Sequence, residues 1–251
     1  MFDHRASRRS VMQAALVAAT ALSLSARGAA AKETGGNHIV LLGDSVLDNG
    51  AYIGTGPDVI EQVGKRLPAG ARATLGAVDG AVVSAVRLQL QIAPEDATHF
   101  VVSAGGNDAL HHAGLLAEKV SSVADALDKL AAVRESFARD YRTMLDEVVA
   151  RGLPVAVCTI YDARFPDLKQ RRRASLGLTI FNDCITREAS ARGLALIDLR
   201  LILTADSDLA NPIEPSVSGG AKIANAIAAF AADYDLAKGR CEVFAGATAR
   251  A

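Results

Sequence analysis

The sequence predicts a three-layer α/β/α domain built on a parallel sheet. Three observations carry this expectation. Five short apolar runs are spaced along residues 38–199, their starts 28 to 55 residues apart. Each is followed by residues with helical periodicity, which leaves room for the crossovers that parallel strands need. The runs are continuously apolar rather than alternating, as strands covered by helices on both faces are.

The first run, HIVLLG at 38–43, ends at a glycine. Val59, Ile60, Val63 and Leu67 then recur at helical spacing within 56–67. ARATLGAV at 71–78 reads as a weaker second strand, and 81–91 as a helix that Pro94 ends. HFVVSA at 99–104 is the third strand, stopped by Gly105-Gly106, and an Ala/Leu/Val-rich stretch over 120–150 supplies a long helix. PVAVCTI at 154–160 and ALIDL at 195–199 are the fourth and fifth strands, separated by a helix over 174–191. The last helix covers 219–237, with Ile223, Ile227 and Phe230 on one face. No internal repeat or Pro/Gly-rich linker points to a second domain.

Half of the 251 residues are hydrophobic and 22% are charged, which excludes a disordered chain. The near-balance of 27 basic and 28 acidic residues provides no broad cationic field, so nucleic acid is not an expected partner. Residues 1–31 differ from the rest: Arg5, Arg8 and Arg9 precede an apolar Ala/Leu run, and Ala29 and Ala31 flank a small-residue processing site. The paired Arg8-Arg9 is similar to a twin-arginine export signal. The run is too short and too interrupted by Ser and Thr for a membrane span. The expected organisation is therefore an export signal over 1–31 and a single soluble domain over 32–251, placed in the periplasm or secreted. Without the first 31 residues the chain keeps 23 basic and 27 acidic side chains, a formal charge of −4.

Open α/β sheets place their sites beyond the carboxyl ends of the strands, and the unusual residues fall there. Gly43-Asp44-Ser45-Val46 follows the first strand, Asp79-Gly80-Ala81 the second and Gly105-Gly106-Asn107-Asp108 the third. Asn211-Pro212-Ile213-Glu214-Pro215-Ser216 precedes the last helix. A serine backed by glycine at a strand end presents its hydroxyl above the sheet. Gly80 supplies an unobstructed N–H and Asn107 a carboxamide donor, so the set fits a nucleophile beside an oxyanion hole.

With these blocks the chain resembles the SGNH (GDSL-type) hydrolases over residues 38–231. GDSV at 43–46 matches the first block with the nucleophile on Ser45; Gly80 matches the second, and Gly105, Asn107 and Asp108 the third. The resemblance implies a flavodoxin-like sheet of order 2-1-3-4-5. It also implies an oxyanion hole made of the Ser45 N–H, the Gly80 N–H and the Asn107 side chain, action on esters of lipids, glycans or small alcohols, and no cofactor. The fourth block departs from the family's D-x-x-H-P: Asn211 stands at the aspartate position and Glu214 at the histidine position, while Gly219, Gly220, Ile223 and Ala224 keep register.

The base that serves Ser45 is therefore open. Glu214 is one candidate, since burial can lift a carboxylate toward neutral pKa. His111 and His112, just past Asn107, are the others. His38 and His99 open their strands, and seven residues at about 3.3 Å put His38 on the order of 20 Å from Ser45. Asp44, Asp79 and Asp108 read as turn and helix anchors, Asp206 and Asp208 as surface residues. Lys169, Arg171, Arg172 and Arg173 read as a solvated face or an anion contact. Cys158 reads as a buried hydrophobe, Cys184 and Cys241 as a pair or as free thiols. GTGPD at 54–58 lacks the lysine of a phosphate loop, and no metal-ligand spacing occurs. Three readings follow: a serine esterase, a silent domain that binds an envelope lipid or glycan, and an acyltransferase using the same nucleophile.

Overall fold

A computed structural model describes residues 36–246; the export signal expected over 1–31 lies outside them. One sheet of six strands runs in the order β2-β1-β3-β4-β5-β6, with every neighbouring pair parallel. The strands are β1 His38–Gly43, β2 Arg72–Leu75, β3 His99–Ser103, β4 Val155–Cys158, β5 Ala195–Ile197 and β6 Val243–Phe244. The first five take the order the family resemblance implies. The sixth extends the expected five-stranded sheet: two residues are too few to make an apolar run, and β6 is set by pairing with Leu196 and Ile197.

The helices are α1 Val59–Gly64, α2 Val86–Gln91, α3 Gly106–His111, α4 Val123–Val149, α5 Leu168–Arg192, α6 Leu199–Ile202 and α7 Val217–Asp233. Alternate residues of the strands feed two cores. Ile39, Leu41 and Val101 pack with Val59 and Val63 of α1 and Ile223, Ile227 and Phe230 of α7. Val40, Leu42 and Val102 pack with Val86 of α2, Tyr141 and Leu145 of α4 and Phe181 and Ile185 of α5. This division explains why β1 is apolar at consecutive positions and buried throughout.

Helix α5 begins six residues before the expected 174 because Asp167 caps it, its Oδ1 accepting from the Lys169 N–H at 2.9 Å. The helix expected from 81 starts only at Val86, after a single 3₁₀ turn over Val83–Ala85. The preceding residues are held in the Gly80 turn described below. His38 and His99 lie at the amino ends of β1 and β3: His38 meets Asp96 at 2.9 Å and Thr74 at 2.8 Å, and His99 stands edge-on to Phe230. Cys158, Cys184 and Cys241 are all free thiols. No described helix is long and apolar enough to cross a membrane.

Candidate active site

The turn after β1 is set by close backbone packing. Gly43 has φ +127°, and a Cβ there would lie 1.7 Å from the Ser103 carbonyl oxygen; only glycine fits. Buried Gln89 of α2 holds both polar groups of this residue, accepting from the Gly43 N–H at 2.6 Å and donating to its carbonyl at 2.8 Å. The Asp44 N–H continues the ladder to Ser103 O at 3.0 Å. The chain thus leaves β1 in one direction, and Ser45 is the next residue.

Ser45 is buried, and its Oγ donates to Glu214 Oε1 at 3.2 Å. Glu214 arrives on the loop between α6 and α7. Asn211 Oδ1 accepts from the N–H groups of both Ile213 and Glu214 at 2.9 Å, a side-chain turn of the kind asparagine favours. The Tyr161 hydroxyl donates to the Ile213 carbonyl, and Asn49 Nδ2 to the Pro215 carbonyl at 3.1 Å. The Ala210 N–H and the Glu214 carbonyl join at 2.8 Å beside a bridge between Leu209 and Pro215.

Glu214 is 6% exposed, and its Oε2 is buried without a hydrogen-bond partner. Burial pushes its carboxyl up to about 7, opposed in part by the Ser45 hydroxyl and reinforced by the charge of Asp79. Asp44, 3% exposed, is also pushed up to about 7 by burial; the Val46 N–H opposes this and the Glu214 charge adds to it. Both carboxyls beside the serine are thus raised chiefly by burial.

The Gly80 turn is fastened from two sides. The Asp79 N–H donates to Asp48 Oδ2 at 2.9 Å, and the Tyr52 hydroxyl to Asp79 Oδ2 at 2.7 Å. From α3, Asn107 Nδ2 donates to the Ala81 carbonyl at 2.9 Å, and Asp108 Oδ2 accepts from the Val83 N–H at 3.1 Å. Gly80 itself has φ +77° with open space where a Cβ would stand. One amide hydrogen of Asn107 remains for a ligand.

Ser45, Asn107 and Glu214 line one cavity of about 350 Å³, whose other walls are largely apolar side chains of α3, the 3₁₀ turn Ala113–Ala117, α4 and α5, including Leu115, Leu130, Val133, Leu178 and Phe181. Gly80 is not part of this lining. His112 lines the cavity and His111 does not; both are exposed, and among the described residues neither hydrogen-bonds Ser45. Asp208 differs from its surface expectation: it is buried, pairs with Lys222 at 2.8 Å and accepts from the Ala205 N–H. Its burial follows from Gly219, where a Cβ would lie 2.0 Å from the Asp208 carbonyl oxygen. Asp206 is exposed and faces Arg164 and Arg171 at 3.4 and 3.6 Å. Among the described residues no cluster of His, Cys, Asp and Glu could hold a metal ion.

Two supporting residues were not singled out from the sequence. Gln89 carries a legible signal, a polar side chain on the apolar face that Val86 and Leu90 define. Tyr161 carries none, because its partner lies 52 residues away in a loop.

The parallel sheet, with a buried serine beyond β1 and a carboxylate from the last loop beside an apolar cavity, defines the class of carboxylic-ester hydrolases of the SGNH type. Residues 41–222 match the model of the GDSL-like Lipase/Acylhydrolase family, and the chain belongs to that family. Solved structures share the fold. A lipase, Lip_vut3, from a goat rumen metagenome is 17% identical with a TM-score of 0.59, covering 77% of this chain and 97% of that one. The extracellular lipase of Streptomyces rimosus is 19% identical with a TM-score of 0.54, over 74% and 95% of the two chains. A putative SGNH hydrolase of Slackia heliotrinireducens is 16% identical with a TM-score of 0.53, over 77% and 97%. No curated protein matches the chain.

Proposed function

We propose that this protein is an exported serine esterase whose nucleophile, Ser45, is served by a carboxylate in place of the usual imidazole. The observation that carries the reading is the 3.2 Å hydrogen bond from Ser45 Oγ to Glu214 Oε1. In the first step Oγ bonds to the acyl carbon as its proton passes to Glu214. The bond to the alcohol then breaks, and the departing oxygen takes that proton. In the second step water attacks the acyl-serine, gives its proton to Glu214, and Ser45 recovers one as it leaves.

A carboxylate at its ordinary pKa is a poor base for a serine hydroxyl. One raised to about 7 is much nearer the useful range at neutral pH. Asn211 fits the same exchange. A carboxylate there would support an imidazolium but would repel Glu214, whereas the amide shapes the loop through two backbone N–H groups. The oxyanion would be held by the Ser45 N–H and the Asn107 amide, which line the cavity, and, as the family resemblance implies, by the Gly80 N–H, a single such donor being worth roughly 3 kcal/mol. The apolar cavity favours an acyl chain over a bare acetyl group.

The test is hydrolysis of p-nitrophenyl acetate and octanoate by the wild type, Ser45→Ala and Glu214→Gln, with fluorophosphonate labelling alongside. Labelling of the wild type but not Ser45→Ala, with loss of turnover in both variants, is expected. Turnover that survives Ser45→Ala overturns the nucleophile. Absence of both turnover and labelling in the wild type leaves a lipid- or glycan-binding domain. Export is tested separately, by cell fractionation and the N-terminal sequence of the processed protein, which the signal over 1–31 places near residue 32.

A further inference from the structure

The cavity is not uniform along its length. Helix α5 presents one stripe to it, Gln170, Arg173, Ala174, Gly177, Leu178 and Phe181, at the spacing of a single helix face. The stripe is polar at its amino end, small in the middle and bulky at its base.

The base lies level with the rim of the sheet. Asn182 holds the N–H and the carbonyl of Ile160, just past β4, at 2.8 Å each. Phe181 stacks edge-on with Phe137, which itself closes over Gly105 beyond β3. Arg173, eight residues earlier, stands roughly 12 Å further along the helix axis, away from that rim.

The charges along the cavity are sorted in the same direction. Its acidic lining residues, Asp44 and Glu214, flank Ser45, and Arg173 is the one arginine or lysine in its lining among the described residues. Neighbouring Arg171 is committed to the Phe165 carbonyl and faces Asp206. Among the described residues no carboxylate pairs with Arg173. Between the two ends the wall opens at Gly177, where a Cβ would meet nothing within 4 Å.

We propose that Arg173, with Gln170 beside it, is a specificity determinant that binds an anionic group at the far end of the substrate's acyl chain. The inference rests on the esterase reading: with the ester carbon at Ser45, the chain runs over Gly177 and Leu178, and its terminal carboxylate or phosphate meets the guanidinium. The preferred substrate class is thus an ester of an acyl chain with a charged end, rather than of a plain fatty acid.

The test compares mono-p-nitrophenyl suberate with p-nitrophenyl octanoate, which share an eight-carbon chain and differ in the charged terminus. A parallel pair, octanoyl-glycerol phosphate and octanoyl-glycerol, puts the charge on the alcohol side. The readout is the ratio of kcat/KM within each pair. The wild type is expected to favour the suberate roughly fivefold, as an exposed charge pair allows, and less at high salt. Arg173→Gln brings that ratio to about one, Arg173→Glu below it, and Arg173→Lys restores part of it. A suberate ratio that is the same in all four proteins overturns the assignment, as does a preference confined to the glycerol phosphate pair. Failure of the esterase reading looks different: neither member of either pair is turned over, or turnover survives Ser45→Ala.

Discussion

Ser45 and Glu214 are 169 residues apart in the chain, yet the hydroxyl of one donates to the carboxylate of the other at 3.2 Å, inside the protein. The contact rests on separately fastened pieces. Gly43, clasped by Gln89, aims the serine. Asn211 and Tyr161 fix the loop that brings the glutamate.

With Glu214 as base, kcat/KM for a neutral ester should rise with pH through about 7, because only the ionised carboxyl accepts the serine proton. The ordinary carboxylate range would put that limb more than two units lower. Glu214→Gln should lower kcat/KM by roughly 10² to 10⁴ and abolish the limb. A pH profile of both proteins checks this, and an unchanged limb in the variant would assign it to another group.

Asp44 gives a stability prediction. Its carboxyl moves from 3.8 to about 7 on folding, so the folded state keeps a proton that the unfolded chain gives up. Its contribution to stability is therefore fully present below about pH 4 and is lost as pH rises through about 7, as linkage requires when the native state binds more protons. Glu214 acts in the same sense. In Asp44→Asn the Oδ1 that accepts from Val46 and Ser103 is kept, while the charge is not. Urea unfolding across pH 4–8 should show a shallower decline and higher stability above pH 7 for this variant; identical slopes would count against it.

Gln89→Leu should leave the N–H and carbonyl of Gly43 without their side-chain partner in a buried site. The carbonyl keeps the Val78 N–H at 3.0 Å, so one buried donor is left unsatisfied, at a cost of about 1–3 kcal/mol. Urea midpoints at neutral pH measure the loss, and activity per folded molecule should fall as the serine turn loosens.

Gly177→Leu should do the opposite to stability while narrowing the cavity. The position is helical with open space around it, so replacing glycine gains up to about 1 kcal/mol of helix propensity. The new side chain occupies the path of a long acyl group. Octanoate turnover should fall roughly tenfold or more, with acetate turnover nearly unaffected, and Tm should rise. Equal losses on both esters would place the chain elsewhere.

Much of this architecture is legible in the sequence because it is local. Continuous apolar runs such as HIVLLG are buried on both faces, and the turns that follow the first three must share one rim. What escapes depends on contacts that spacing does not encode. β6 is a two-residue strand defined by its partner. Asp208 looks like an ordinary loop acid until Gly219 lets its backbone approach α7. Among the site residues, Ser45, Asn107 and Glu214 share a cavity, while Gly80 sits in a turn fastened by Asp48, Tyr52, Asn107 and Asp108 outside its lining. Which of Glu214, His111 and His112 meets the Ser45 hydroxyl is likewise not encoded in spacing, since all three lie near the same rim.

The unpartnered Oε2 of Glu214 has a consequence for how turnover responds to the fatty tail itself. With Oε2 already shut off from direct solvent, screening of the anion has to come across the cavity that an acyl tail would fill, so on the esterase reading a longer ester makes its own base harder to ionise. The kcat profile for octanoate should consequently lie alkaline of that for acetate, and the enzyme's acid tolerance becomes a property of what it is digesting.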